Sequence, residues 1–195
     1  MLDDCDRPRK DRLHWDERFR AGDHPKTEPD PFLTQLEEYA ELLPERPRAL
    51  DVACGAGRNA VRLAEKGWRV TACDLSLEGL RQAQHLARER GVRLDLFCHD
   101  LETAVLPAGC FDVIVCFFFL ERKLFPALKA ALRPNGLIVY KTYTVDERRF
   151  RDRPMHELHL LRHQELLAQF RDFRVLVYQE LMEGRGVAQI IAQKI

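Results

Sequence analysis

The chain has no surplus of charge of either sign: Lys and Arg total 31, as do Asp and Glu, for a formal net charge of zero over 195 residues. A partner that tracks phosphate backbones would show as a basic excess, so no nucleic-acid partner is expected. Local clusters such as Arg148-Arg149 and Arg151 have acids beside them and read as solvated surface. No apolar run approaches the roughly 20 residues that a membrane-spanning helix needs, so no membrane partner is expected either. The opening residues Met1-Leu2-Asp3-Asp4-Cys5-Asp6 are acidic and polar, unlike the start of a secretory signal. The six cysteines include no CxxC pair and no regular framework. These features predict a cytoplasmic location. Repeats and low-complexity tracts are also absent.

The length suits one domain with a substantial core. Lys10 to Ala21 predicts a short helix with Leu13, Trp15 and Phe19 near one side, followed by a polar connector from Gly22 to Pro31. A second helix is expected from Phe32 to Leu43, stopped by Pro44 and Pro47. Strand and helix then alternate: Ala49–Ala53, a helix from Asn59, Arg69–Cys73, a helix from Leu77, Arg93–Cys98, Phe111–Phe117, a helix from Leu120, and Leu137–Thr142. That alternation predicts an α/β fold with a parallel sheet covered on both faces. The tail differs. Arg174–Gln179 and Val187–Gln193 are strand-like runs around Glu183-Gly184-Arg185-Gly186, which signals an antiparallel hairpin.

Ala49 to Asn59 reads as a buried strand, a glycine turn and the start of a helix. Gly55 and Gly57 allow positive φ and close approach of a ligand to the backbone, and the helix start directs free N–H groups into the turn. Gly55-Ala56-Gly57-Arg58-Asn59-Ala60 satisfies the dinucleotide pattern G-x-G-x-x-G/A, with Asp74 ending the next strand to hold ribose hydroxyls. A nicotinamide- or flavin-dependent enzyme is therefore one reading. A Walker-type phosphate loop is excluded, because no Gly-Lys-Ser/Thr follows the glycines. Asp51 favours a different ligand. A carboxylate before the glycines repels a pyrophosphate but attracts an ammonium group, and S-adenosylmethionine carries one. His99-Asp100-Leu101 after the third strand offers an acceptor for an adenine amino group. Leu132-Arg133-Pro134-Asn135-Gly136-Leu137 is close to the L-x-P-G-G-x-L turn of Class I methyltransferases, with Asn135 in place of the first glycine and able to take left-handed geometry.

From about Trp15 to the C-terminus the chain resembles the small bacterial Class I methyltransferases of the tellurite-resistance type, and more distantly the thiopurine methyltransferases. The matching pieces are Trp15-Asp16-Glu17-Arg18-Phe19-Arg20-Ala21-Gly22, Asp30-Pro31-Phe32-Leu33, the turn from Asp51 to Asn59, Asp74-Leu75-Ser76, Asp100-Leu101-Glu102 and Leu124-Phe125-Pro126-Ala127-Leu128. The resemblance implies a Rossmann-like fold with a seven-stranded, mostly parallel sheet ending in an antiparallel hairpin. It implies residues 1–47 as a helical cap over the cofactor site and 48–195 as the methyltransferase domain. S-adenosyl-L-methionine is then the cofactor. Its expected contacts are Trp15, Phe19, Asp51, Ala53, Gly55, Gly57, Arg58, Asn59, Asp74, Leu75, Asp100, Leu101, Cys116 and Phe117. Trp15 and Phe19 either cover the cofactor or anchor their helix. The alternatives for Asp51 and Asp74 are a turn-former and a helix cap, although Ser76 is the better cap.

The acceptor is expected to be a small nucleophile such as a thiol or chalcogen anion, and the chain a monomer or homodimer. Substrate-side candidates are Arg122, Tyr140, Lys141, Tyr143 and Arg162, taken from strand ends and the covering loop. Lys141 replaces an acidic residue expected in close relatives, which leaves the charge preference of the substrate open. No general base is assigned. The Asn/Asp-Pro-Pro-Tyr motif of adenine and glutamine-amide methyltransferases is absent after the fourth strand. Cys54, Cys73, Cys98 and Cys116 fall near strand ends and read as a thiol-rich mouth or as packing. His156, His159 and His163 would meet only if their segment were helical, and no metal is assigned to them. A third reading keeps the fold as a cofactor-binding protein without turnover.

Overall fold

The computed structural model describes residues 10–22, 27–103, 105–151 and 155–195. Helix α1 (Lys10–Arg20) is followed by α2 (Pro31–Thr34), which opens at Asp30, whose carboxylate accepts the Phe32 N–H. Pro31 sits in the first turn, where a missing N–H is harmless. The expected α-helix to Leu43 is not formed. Gln35–Leu42 winds instead as a 3-10 helix, with Leu36 buried and Tyr39, Leu42 and Leu43 half-buried against the core.

The chain then builds β1 (Arg48–Val52), α3 (Arg58–Glu65), β2 (Arg69–Asp74), α4 (Leu77–Glu89), β3 (Asp95–Cys98) and β4 (Phe111–Phe117). It continues with α5 (Phe125–Ala131), β5 (Leu132–Tyr143), α6 (Glu165–Gln169), β6 (Phe173–Met182) and β7 (Gly186–Lys194). The seven strands form one sheet in the order β3-β2-β1-β4-β5-β7-β6. The first five run parallel, and β7 lies antiparallel to both β5 and β6, which is the hairpin the tail predicted. Strand order reverses between β1 and β4, and such switch points hold ligands in α/β sheets.

Side chains alternate across the sheet. Leu50, Val52, Ile114, Cys116, Ile138 and Tyr140 pack with Phe125, Leu128 and Phe170 on one face. Ala49, Val113, Val115 and Val139 pack with Phe32, Leu33 and Leu63 on the other. Helix α5 begins at Phe125, after a 3-10 turn at Arg122–Leu124 that Glu121 caps, rather than near Leu120. β5 starts early. Leu132 pairs with Phe111, and the register then shifts so that Leu137 faces Val113. Asn135 takes φ +64 within that shift, the left-handed geometry expected of it. Among the described residues no helix is long and apolar enough to cross a membrane.

Close helix packing depends on Gly57, at φ +77, where an added Cβ would lie 2.6 Å from the Ala83 Cβ on α4. Gly57→Ala should therefore lose about 2–3 kcal/mol, combining left-handed strain with overpacking. Gly67 has a similar φ of +81 but open space around it. Gly67→Ala should lose only about 1 kcal/mol. Urea unfolding of the two variants separates the packing cost from the backbone cost.

Candidate functional site

The turn after β1 is built from residues in left-handed geometry: Ala53 at φ +55, Gly55 at +54 and Gly57 at +77. The Cys54 N–H donates to the Cys73 carbonyl at 3.0 Å, which binds the turn to the end of β2. Asp74 completes that link. Its Oδ2 accepts the Gly55 N–H and its Oδ1 the Ser76 N–H, each at 2.8 Å. Each carboxylate oxygen retains a second lone pair for a ligand hydroxyl. Burial pushes the Asp74 carboxyl up, while these backbone donors pull it down. Ser76 caps α4, accepting the Gly79 N–H at 3.0 Å. The Asp74 carbonyl accepts the His99 N–H, which brings Asp100 and the buried Leu101 to the same edge beside half-buried Leu75. Asp100 Oδ1 accepts the Glu102 N–H.

Asp51 lies one residue before the end of β1, in register with Ala72 and Val115, and is 2 % exposed. Its carboxyl accepts the Ala60 N–H of α3, yet its Oδ2 is buried with no hydrogen-bond partner. Burial pushes this carboxyl up to about 8; the Ala60 N–H and Arg58 oppose the rise and the Asp74 charge adds to it.

Arg58, Asn59 and Lys141 converge on one acid that sequence reasoning gave no role, Asp30. Asn59 Oδ1 accepts the Asp30 N–H at 2.9 Å. Lys141 Nζ lies 2.8 Å from Asp30 Oδ1, and Arg58 Nη2 lies 3.8 Å from Oδ2. Asp30 and Lys141 are both buried. These side chains clamp the segment before α2 onto α3 and β5. The only sequence signal was Asp30 within its Asp-Pro-Phe-Leu run.

Helix α1 is fastened to α4. Asp16 Oδ1 accepts the Ser76 hydroxyl at 2.6 Å and the Glu78 N–H at 3.0 Å, and Gln82 donates to the Phe19 carbonyl at 3.0 Å. Phe19 is buried against two glycines: a Cβ on Gly55 would meet its ring at 3.1 Å and one on Gly79 at 3.0 Å. Trp15 is 38 % exposed, with its ring 6.5 Å from that of Phe19. Phe19 thus anchors the helix at the glycine turn, with the more exposed Trp15 beside it. Asp16 went unassigned, although it stands between these two aromatic residues.

The other candidates divide. Cys116 and Phe117 are buried at the end of β4. Tyr140 is fully buried with its hydroxyl on the Phe119 carbonyl at 2.8 Å, so it presents no surface to a substrate. Arg122 pairs with Glu165 through two nitrogens at 2.6 and 3.0 Å and donates to the Leu158 and Leu160 carbonyls. It fastens the loop before α6. Arg162 is exposed, with its backbone N–H on Glu165. Tyr143 is half-buried at the end of β5, against Phe118. The histidine segment forms a 3-10 turn at Glu157–His159, and His163 contacts Asp146 at 2.8 Å. Cys73 and Cys116 are wholly buried, and burial pushes the Cys73 thiol up to about 12, so both sit as packed neutral thiols.

Asp51 has a consequence for stability. Its carboxyl titrates near 3.8 when unfolded and near 8 in the fold, so the folded chain holds an extra proton between those values. The cost of ionising Asp51 is absent below about pH 4, grows as pH rises through this window and is complete above about pH 8. Asp74 is shifted in the same direction. Urea unfolding of the ligand-free protein should show stability falling from pH 5 to pH 8, and Asp51→Asn should flatten that fall. An unchanged slope in the variant would remove Asp51 as its source.

Residues 49–136 match the model of a family described as a methyltransferase domain. The chain is 36% identical over 101 residues to a ubiquinone biosynthesis O-methyltransferase of Idiomarina loihiensis, covering 49% of this chain and 42% of that protein. It is 32% identical over 118 residues to a tRNA 5-carboxymethoxyuridine methyltransferase of Escherichia coli, covering 53% and 43%. Both matches span less than half of the relative. In fold, it superimposes on TehB from Haemophilus influenzae with a TM-score of 0.71 at 19% identity, over 93% of this chain and 67% of that one. Residues 49–136 thus match a methyltransferase domain, and the chain as a whole shares the fold of TehB.

Proposed function

We propose that this chain is an S-adenosylmethionine-dependent methyltransferase acting on a small nucleophilic acceptor. The observation that carries the reading is Asp51, a buried carboxylate with an unpartnered oxygen beside a glycine turn. An ammonium group satisfies that oxygen; a pyrophosphate is repelled by it. The residues present therefore fit the methionyl end of the cofactor. Asp74 would hold the ribose hydroxyls, and Asp100 with Leu75 and Leu101 the adenine. The backbone of Ala53, Gly55, Gly57, Cys116 and Phe117 would border the ligand, under a cap formed by the N-terminal segment through Phe19 and Trp15. Arg58 and Asn59 serve by holding that cap through Asp30.

When bound, the cofactor would supply an electrophilic methyl group for in-line transfer to the acceptor's lone pair, with the electrons of the carbon–sulfur bond left on sulfur. The protein's part is alignment and exclusion of water, which require no strong general base for a soft nucleophile. Helix α1 excludes water from above the turn, and Asp51 and Asp74 fix the donor's orientation from below. The balanced charge of the chain supports a small acceptor over a nucleic acid. One relative is named for tRNA and another for ubiquinone biosynthesis, so acceptor identity is decided by assay.

Thermal unfolding with S-adenosylhomocysteine and NADH in parallel tests the assignment. Ligand at about 100 times its Kd adds roughly 2.7 kcal/mol, or several degrees. A shift with S-adenosylhomocysteine alone is expected. A shift with NADH alone would replace the reading with a nicotinamide enzyme, and binding without methylation of any thiol, amine or chalcogen anion would favour a cofactor-binding protein.

A further inference from the structure

Beside the cofactor turn, the ends of β4 and β5 carry an aromatic pair ringed by cations. Phe118 takes φ +58, a region that costs a non-glycine residue energy, and is pinned there by its N–H donating to the Lys141 carbonyl at 2.7 Å. Its half-buried ring lies 5.0 Å from that of Tyr143. Arg185 Cζ is 5.6 Å from the Phe118 centroid, Lys141 Nζ 5.7 Å from the same ring, and Arg151 Cζ 4.8 Å from Tyr143.

The three cations are not equivalent. Asp30 neutralises Lys141 and Glu147 neutralises Arg151. Arg185, half-buried in the β6–β7 turn, makes no ion pair or hydrogen bond with any described residue. Its position is nonetheless fixed. Buried Glu147 accepts the Gly186 N–H at 2.9 Å, and the Thr144 N–H donates to the Gly186 carbonyl at the same distance. Pairing of Tyr143 with Val187 sets this turn at the carboxyl edge of β5. A guanidinium held over a ring with its donors unfilled is a site for a planar oxyanion.

We propose that Phe118, Tyr143 and Arg185 form the acceptor site, which takes a compact aromatic acceptor bearing a carboxylate. The acceptor's ring lies against Phe118 and Tyr143, and its carboxylate pairs with Arg185. This assignment rests on the methyltransferase reading and narrows its acceptor class. The buried partner acids of Lys141 and Arg151 leave Arg185 as the charge that discriminates an anionic acceptor from a neutral one.

Calorimetric titration of benzoate and of benzamide, with and without saturating S-adenosylhomocysteine, tests it. Benzoate should bind at least tenfold tighter than benzamide. Arg185→Gln should bring the ratio close to one, Arg185→Lys should keep part of it, and Arg171→Gln, at an exposed position away from the turn, should leave it intact. Circular dichroism and the unfolding midpoint check that each variant folds. Equal affinities for the two probes, or a ratio unchanged in Arg185→Gln, would overturn the site. Failure of S-adenosylhomocysteine to bind would instead overturn the methyltransferase reading, and the titrations without it would still decide the benzoate site.

Discussion

Burial of the Asp51 carboxyl at the end of β1 is the constraint around which the site is arranged. A carboxylate with 2 % of its surface exposed and one oxygen unpartnered costs free energy in the ligand-free fold, and the chain limits that cost by keeping the group protonated near neutral pH. The Ala60 N–H at the start of α3 is its one identified donor. The arrangement is poised for a cation: a ligand ammonium would fill the open acceptor and reverse the pKa shift. A second acid, Asp74, sits close enough to raise Asp51 further while bracing the glycine turn from β2. On the proposed reading, a ligand ammonium would turn that cost into affinity for a positively charged ligand.

The N-terminal segment is coupled to this site at two points. Asp16 and Phe19 fasten α1 to the start of α4 and to the glycine turn. Asp30 gathers Lys141, Asn59 and Arg58 beneath α2. Arg58, Asn59 and Lys141, placed at the ligand by motif and strand-end position, all contact Asp30, and the cover over the turn is tied to β5 as well as to α3. The same clamp neutralises Lys141, leaving Arg185 as the unpaired charge beside Phe118 among the described residues.

The sheet was legible because its signals are local. Period, apolar runs and the Gly184 turn located all seven strands, although β5 starts five residues earlier than its apolar run, and the post-β1 glycines and Asp74 meet at one sheet edge. Asn135 was legible for the same reason, since left-handed tolerance is a property of the residue. What escaped were contacts between residues distant in the chain. Asp16 meets Ser76 and Asp30 meets Lys141 across 60 and 111 positions, and neither spacing leaves a trace in periodicity. Tyr140 and Arg122 looked like site residues because they stand at a strand end and in a loop. Their side chains instead turn to the Phe119 carbonyl and to Glu165. The helix expected from Phe32 to Leu43 is helical throughout but tightens to a 3-10 helix from Gln35, a distinction that apolar spacing does not carry.

The ammonium contact of Asp51 is tested most directly by counting protons. S-adenosylhomocysteine binding at pH 7 should be followed calorimetrically in buffers of differing ionisation enthalpy, for the native chain and for Asp51→Asn. With Asp51 near 8 before binding, close to one proton should leave the native protein on binding and about none the variant. Binding with no proton released, or with the same release from Asp51→Asn, would contradict the contact.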